Sequence, residues 1–306
     1  MADLFTNILE ILILGTSLAL ILSLISLGYS LLYGVGKVIN LAHGQFYFLS
    51  GYLIFAFSEY LDWSYMFSVV LGLIIATGLG ALTYIVLIKP FHDNEIMILI
   101  ATFSLGYLIF NFVWLAENLI NLNVIPGLVL ISKGQFVPGK FTIPGTEVQF
   151  SFYRLFVIGI SAIIIILLIT FIKYSKFGRA IRAVSQDQDA ARLMGINLDG
   201  VLLFTVTISA FLAGVAAFLY VPLEPMLMGK GWDILLLSMS VVILGGMGSI
   251  PGTVIGAFVL AFAVKISEYF IDPLVGFPLS GIFHFIIIII MLIIRPRGIL
   301  GKKEKL

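Results

Sequence analysis

The chain has 306 residues, of which 61% are hydrophobic and 11% are charged, and its formal net charge is +1. A soluble domain carries about 25% charged and about 45–50% apolar residues, so a soluble fold of this length is excluded and a bilayer must cover the apolar surface. The chain has no cysteine, which excludes disulfides, thiolate metal sites and cysteine nucleophiles. The small net charge is uninformative about nucleic acid, and we predict no nucleic-acid partner.

Long apolar runs predict a bundle of about 8–9 membrane-spanning helices, because about 20 helical residues cross a hydrocarbon core of roughly 30 Å. The fold class is therefore an all-α polytopic membrane protein, with residues 1–306 as a single transmembrane domain. The second and seventh runs are short for a full crossing, so each is tilted, broken or re-entrant. The runs lie near residues 11–33, 44–59, 64–88, 96–118, 152–173, 201–221, 234–247, 253–271 and 281–294.

The positions of Lys and Arg predict which loops face the cytoplasm. When the loop at 174–200 is placed inside and the spans alternate, twelve basic residues lie inside and four outside. This bias follows the positive-inside rule and places the C-terminus in the cytoplasm. The side of the N-terminus depends on whether eight or nine spans are present. The inner set is Lys37, Lys89, Lys173, Lys176, Arg179, Arg182, Arg192, Arg295, Arg297, Lys302, Lys303 and Lys305. The outer set is Lys133, Lys140, Arg154 and Lys230.

The first polar interruption, at residues 34–45, separates two apolar runs. It reads GVGKVINLAHGQ, and Asn40, His43 and Gln45 supply hydrogen-bond donors and acceptors beside Gly44. Irregular backbone at membrane depth is tolerated only where protein or a water-filled cavity covers it, and broken helices of this kind meet solutes in transporters. The segment therefore predicts either part of a substrate path or an ordinary cytoplasmic turn with a helix cap.

The longest outer segment, at about 119–151, contains Pro126, Pro138 and Pro144. Its stretch QFVPGKFTIPG alternates short β-like runs with turn dipeptides, which predicts a small external hairpin. This hairpin either contacts a soluble partner or is a passive loop.

The cytoplasmic loop at 174–200 combines apolar positions with intervening charges. It predicts a pair of short amphipathic helices, the second capped by Ser185 or Asp187. Such an element is suited to dock into a cleft on a soluble subunit, although a basic amphipathic segment also suits a membrane surface. The residues predicted to couple the chain to that subunit are Arg179, Arg182, Asp187, Asp189, Ala190, Ala191, Leu193, Met194 and Gly195.

The second interruption, at residues 244–252, reads LGGMGSIPG. Four glycines and one proline in nine residues cannot continue a stable helix. Glycine also allows backbone to approach a neighbouring helix or a ligand closely. Gly245, Gly246, Gly248 and Ser249 are therefore candidates for the substrate path, and the alternative is a tight re-entrant turn without solute contact.

Several chemical signatures are missing from the sequence. The chain has no GxxxxGK[ST] phosphate loop, no HExxH and no GxSxG, so we predict no catalytic site and no cofactor. His43, His92 and His284 lie far apart in sequence, which argues against a metal site. No carboxylate lies at the middle of a predicted span, which argues against an ion-coupled carrier.

Four motifs together resemble one family over residues 15–301, nearly the whole chain. The family is that of the permease subunits of bacterial branched-chain amino acid ABC importers of the H type, which are binding-protein-dependent inner-membrane components. Urea-importer permeases of the same superfamily have similar motifs. The carrying segments are GYSLLYGVGKVINLAHGQF at 28–46, FGRAIRAVSQDQDAARLMGIN at 177–197, VILGGMGSIPGTVIGA at 242–257 and RPRGILG at 295–301.

The resemblance implies a multi-pass inner-membrane subunit with four kinds of contact. These are a second homologous permease in a heterodimer, two cytoplasmic ATP-binding subunits, an extracytoplasmic solute-binding protein and membrane lipid. The family's coupling pattern is EAA followed by Gly, and here Asp189-Ala190-Ala191 and Gly195 stand at those positions, with Asp in place of Glu.

The resemblance also implies a substrate. Leucine, isoleucine and valine are expected by family frequency, whereas the outer loop has no match that would carry over receptor specificity. The alternatives are a urea or short-chain amide importer of the same architecture, a stand-alone channel or a secondary carrier.

Overall fold

The computed structural model describes residues 2–92, 94–120, 129–130, 137–142, 149–277, 279–295 and 297–301. Within them the chain is a bundle of helices with two small strand pairs. The helices are α1 (Ala2–Gly36), α2 (His43–Glu59), α3 (Tyr65–Thr83), α4 (Glu95–Ile120), α5 (Phe152–Tyr174), α6 (Lys176–Gln186), α7 (Gln188–Leu193), α8 (Leu198–Tyr220), α9 (Lys230–Gly245), α10 (Ile250–Ile266), α11 (Asp272–Val275) and α12 (Ser280–Ile294). Wider π-helical turns, Tyr84–Ile88 and Ser267–Ile271, continue α3 and α10.

Each predicted apolar run forms a helix, but the helices differ in length. Six are long and apolar enough to cross a membrane, and they are Thr6–Gly36, Tyr65–Ile88, Glu95–Leu119, Phe152–Tyr174, Leu198–Tyr220 and Ile250–Val275. The other three, α2, α9 and α12, have only 17, 16 and 15 residues. The chain is therefore a polytopic helical membrane protein with six full-length candidate spans among its described residues.

Helix α2 is short because protein surrounds it. Nearly every residue from His43 to Phe55 is buried, and α2 packs against α3, α4, α8 and α9. A helix inside a bundle has no need of the 20-residue length that lipid imposes, since neighbouring segments can satisfy its ends.

The chain between α1 and α2 runs back into the membrane. Lys37 adopts a left-handed conformation with φ 55° directly after α1, and the chain reverses there. The His43 side chain at the start of α2 then reaches the carbonyl of Ile25, eleven residues before the end of α1. At 1.5 Å per residue, α2 begins about 16 Å from the end of α1, near half the depth of the hydrocarbon core.

Helix α9 starts at about the same depth, but the chain that leads to it enters from the opposite end of the bundle. Pro222 and Pro225 follow the end of α8, and the chain descends to Gly229, whose φ is +91°. Helix α9 begins at the next residue, and its Gly231 lies against Gln45 of α2. Two short helices therefore start beside each other inside the bundle and run in opposite directions.

The strands lie in the segments that precede α5 and α9. β2 (Lys140–Thr142) pairs antiparallel with β3 (Gln149–Ser151), which forms a hairpin in the segment where the sequence predicts one. β1 (Val129–Leu130) pairs with β4 (Met226–Leu227), so the loop between α4 and α5 is joined to the segment that enters α9. The rest of that loop lies outside the described residues.

Candidate functional site

His43 connects three helices at the start of α2. Its Nε2 lies 3.0 Å from the Ile25 carbonyl oxygen of α1, and its Nδ1 lies 3.1 Å from the Ser209 hydroxyl of α8. Because a carbonyl can only accept, Nε2 carries the proton and Nδ1 accepts from Ser209. The imidazole is completely buried and packs against the Tyr29 ring. His43 therefore fixes the depth at which α2 begins.

Asn40 and Gln45 carry amide groups that the fold leaves partly unused. The Asn40 side-chain oxygen accepts from the backbone N–H of Ala42 at 2.9 Å, whereas its Nδ2 has no hydrogen-bond partner among the described residues. Gln45 is completely buried, and neither atom of its amide has a partner in the same part of the chain. A buried unsatisfied polar group costs about 1–3 kcal/mol.

The starts of α2 and α9 touch at two glycines. A Cβ on Gly44 would lie 2.1 Å from the Gly231 carbonyl oxygen, and a Cβ on Gly231 would lie 2.7 Å from Oε1 of Gln45. Gly44 therefore requires glycine because its Cβ would meet backbone, whereas a Cβ at Gly231 would meet only the end of the Gln45 side chain. Helix N-termini carry partial positive charge and unpaired N–H groups, so this junction favours an electronegative group near the middle of the membrane.

The second interruption is built from backbone contacts. A Cβ on Gly245 would lie 2.2 Å from the Gly252 carbonyl oxygen, and Gly246 has φ +103°. The C-terminal segment closes the end of α9, since the N–H groups of Ile299 and Leu300 donate to the carbonyls of Leu244 and Gly245 at 2.8 and 2.9 Å. These carbonyl groups at the end of α9 thus accept hydrogen bonds from the backbone of the C-terminal segment rather than from side chains.

Ser249 and Gly248 complete this second interruption. The Ser249 hydroxyl accepts from the Gly252 N–H at 3.2 Å and caps α10. Gly248 has φ +76°, and its Cα lies 3.1 Å from the position of a Cβ on Gly34 in α1. The two interruptions meet at this contact, because Gly34 is the first residue of the interruption at 34–45. Since Gly231 and Gly245 are separated by fourteen residues of α9, Ser249 lies roughly 20 Å from Gln45 along that helix.

The loop at 174–200 forms the two predicted short helices. The Ser175 hydroxyl caps α6 by accepting from the Gly178 N–H at 2.8 Å. Asp187, one of the two predicted caps, accepts from the Ala190 N–H at 2.9 Å and begins α7. Helix α7 ends in a Schellman motif, with Gly195 at φ +79° and the Ile196 N–H bonded to the Ala191 carbonyl at 3.1 Å.

The residues predicted to couple divide between an inner and an outer face. Ala191 is buried against the protein's own core and therefore packs inward rather than towards a partner. Leu193 is 88% exposed and Met194 is 82% exposed, and Asp189 and Ala190 are exposed beside them. Leu193 and Met194 thus present apolar surface outside the chain's own core.

Two arginines attach this loop to the bundle. The Arg182 guanidinium donates to the carbonyls of Ile172 and Lys173, and the Arg179 guanidinium donates to the carbonyl of Tyr174 at 3.3 Å. These carbonyls belong to the last turn of α5, where cations and donors are favourable. Arg179 and Arg182 are thus engaged within the chain.

A model of the family "Branched-chain amino acid transport system / permease component" matches residues 11–293. The chain belongs to this permease family. It is 30% identical over 320 residues to the high-affinity branched-chain amino acid transport system permease protein LivH of Salmonella typhimurium. The alignment covers 99% of each chain. It is also 30% identical over 309 residues to BraD of Pseudomonas aeruginosa, with 97% of this chain and 96% of that protein covered. These relatives are transport permease subunits.

A solved structure shares the architecture of this permease. A chain of the PsaBC complex from Streptococcus pneumoniae, bound to Fab, aligns with a TM-score of 0.52 and 15% identity, covering 94% of this chain and 93% of that chain. At this identity the likeness establishes the fold alone. The permease is accordingly a multi-pass membrane protein.

Sequence reasoning missed the residues that complete the first interruption in this permease. Ser209 and Tyr29, which hold His43, lie within apolar helices and carry no local signal. Gly231 was also missed, although the dipeptide Gly229–Lys230 before it marks a helix start. The structure brings Asn40, His43, Gly44 and Gln45 together but keeps them apart from Gly245, Gly246, Gly248 and Ser249.

Proposed function

We propose that this protein is the membrane-spanning subunit of an ATP-driven importer that moves leucine, isoleucine and valine across a bacterial inner membrane. The names of its relatives support the substrate class, and a chain without a phosphate-binding loop needs separate ATP-binding subunits. The observation that carries the proposal is the exposed apolar pair Leu193 and Met194 on an otherwise anchored loop. Two ATP-binding subunits, a second related permease and an extracytoplasmic binding protein complete the assembly.

The coupling loop is linked to the first interruption through α1. The Gln188 side chain at the start of α7 donates to the Val35 carbonyl in the last turn of α1 at 2.9 Å. When ATP binding moves the ATPase pair, α7 moves with its partner and transmits the displacement to the end of α1. This end leads directly into residues 37–42, so the nucleotide state alters the segment that holds α2 in place.

We place the translocation path along both interruptions. The polar set Asn40, His43, Gly44 and Gln45 contributes donors near mid-membrane, and Gly245, Gly246, Gly248 and Ser249 contribute flexible backbone nearer the cytoplasm. The two opposed helix starts support this assignment, since discontinuous helices present their N-termini to anionic solute groups.

We further propose nine crossings, with the N-terminus outside and the C-terminus in the cytoplasm. In this scheme residues 37–59 and 221–245 each cross as an extended segment followed by a short helix. Because the chain has no native cysteine, single cysteines can be labelled from either side of the membrane. A cysteine at Ser175 should react with a membrane-impermeant maleimide only from the cytoplasm, and one at Lys140 only from outside.

The function is tested in liposomes that contain the permease, its partner permease and the ATPases, with binding protein added outside. We expect ATP-dependent uptake of leucine and none by the single chain. Leu193→Ala with Met194→Ala removes about 1.5–3 kcal/mol of buried contact per side chain, which corresponds to a tenfold or larger loss of ATPase affinity. Leu274→Ala is the matched control, because Leu274 is 85% exposed away from this loop.

Uptake of urea instead of leucine would favour the amide importer. Robust leucine uptake by the single chain would contradict the proposed partners.

A further inference from the structure

Charged and polar side chains from four separate elements converge immediately beyond the first interruption. Tyr47 follows Gln45 by two residues on α2, and Lys230 precedes Gly231 on α9. Arg154 lies in the first turn of α5, and Glu224 lies in the segment that links α8 to α9. We call Tyr47, Arg154, Glu224 and Lys230 the outer cluster. None of them belongs to the two interruptions or to the coupling loop.

Local turn geometry holds the Glu224 carboxylate in this cluster. Pro222 and Pro225 prevent α8 from continuing, and the N–H groups of Leu223 and Glu224 both bond to the Tyr220 carbonyl, at 2.8 and 3.2 Å. The Tyr220 hydroxyl donates to Glu224 Oε2 at 2.7 Å. This bond orients the carboxylate but leaves it capacity for further donors.

Neither cation of the cluster forms a direct ion pair among the described residues. Arg154 is half-buried and its charge interacts with that of the Glu224 carboxylate, but in the same part of the chain no hydrogen bond engages it. The Lys230 ammonium lies 6.0 Å from the centre of the Tyr220 ring. A partly buried cation without a direct partner is costly, so a bound anion would stabilise this arrangement.

Tyr47 adds an unused hydroxyl. Its side chain is completely buried, and its ring centre lies 6.3 Å from that of Tyr220, whose hydroxyl donates to Glu224. The hydroxyl has no hydrogen-bond partner within the described ranges. The Tyr47 hydroxyl, the Arg154 guanidinium and the Lys230 ammonium thus lie around the Tyr220–Glu224 pair.

Two neighbouring carboxylates accept from donors of their own. Tyr269 donates to Glu10 at 2.6 Å, and Lys265 pairs with Glu268 at 2.5 Å. These pairs leave the cations of the outer cluster available.

We infer that the outer cluster binds the charged ends of an α-amino acid zwitterion as it enters the first interruption. Arg154 and Lys230 engage the α-carboxylate, Glu224 accepts from the α-ammonium, and the Tyr47 hydroxyl donates to a carboxylate oxygen. A neutral amide such as urea has neither charge, so the cluster selects amino acids over amides. This inference rests on the proposed function, because it assigns an entry site to the same substrate path.

The first experiment measures leucine binding to the purified complex of both permeases and the ATPases, without binding protein. Leucinamide lacks the carboxylate and should compete with radiolabelled leucine about tenfold more weakly than valine does. Arg154→Gln should weaken leucine binding about tenfold and abolish the preference for leucine over leucinamide. Arg154→Lys should preserve that preference, and Lys140→Gln, which removes an exposed cation from the hairpin, should bind as wild type does.

A second experiment measures uptake in liposomes for Arg154→Gln and Glu224→Gln, together with capture of the binding protein. We expect lower uptake with undiminished capture. Loss of capture would assign the cluster to receptor docking and overturn the inference. The inference would also be overturned if both variants still transported leucine and kept the wild-type preference for leucine over leucinamide. A wild-type complex that transports no amino acid would instead overturn the proposed function, and this site with it.

Discussion

The two interruptions of the helical bundle look alike in sequence but are stabilised differently. The first is buried and depends on side chains, with His43 bonded to two helices and Gln45 left without partners among the described residues. The second depends on backbone, with the C-terminal segment bonded to the end of α9 and Ser249 capping α10. A glycine-rich break can therefore serve either as a polar element or as a close packing contact.

The first interruption should tolerate no side chain at the α2–α9 contact. Gly44→Leu would drive a Cβ to within 2.1 Å of the Gly231 carbonyl oxygen, so we expect loss of the folded complex. The measurement is monodispersity of the purified complex and its uptake of leucine. Gly159→Leu is the matched control, because a Cβ there meets nothing within 4 Å. A stable and active Gly44→Leu complex would show that the two helix starts do not touch.

The second interruption should be sensitive to conformation as well as to space. Gly246→Val places a β-branched residue at φ +103° and beside the backbone N–H of Gly301. Left-handed or otherwise sparsely populated conformations cost about 1–3 kcal/mol, so we expect a lower melting temperature and reduced uptake. Gly276→Val is the control, since it has φ +80° but no neighbour within 4 Å. Equal effects of the two substitutions would contradict a packing role for Gly246.

Substitution of Gln45 tests whether this residue belongs to the substrate path or only stabilises the fold. Gln45→Met keeps the length of the side chain and removes the unsatisfied amide, so the complex should become more stable by about 1–3 kcal/mol. Uptake of leucine should nevertheless fall, because the donors at the helix starts are lost. Gln186→Met, on the exposed end of α6, is the control for both measurements. Gain of stability with unchanged uptake would place Gln45 outside the path.

Ser249 should give the smallest effect. Ser249→Ala removes the cap of α10, which costs about 0.5–2 kcal/mol. We expect a small drop in melting temperature and a modest drop in uptake, whereas Ser249→Asp, which can still cap, should keep the stability. A larger loss of uptake than Gln45→Met produces would reverse the ranking of the two interruptions.

Features that depend on neighbouring residues along the chain could be predicted from the sequence. Each of the nine apolar runs predicted a helix that the described residues contain, because burial in lipid requires uncharged segments. Asp187, one of the two predicted caps, begins α7, since a cap depends only on residues close in sequence. The glycine and proline content placed both interruptions for the same reason.

Contacts between residues that are far apart in the sequence depend on the tertiary structure. The depth of α2 follows from the bonds of His43 to Ile25 and Ser209, which are distant in sequence and unmarked by any local pattern. Ala191 and Leu193 are both apolar and two residues apart, yet one is buried and the other is 88% exposed. That difference depends on where α1 and α8 pack against α7, and periodicity within six residues is too short to reveal it.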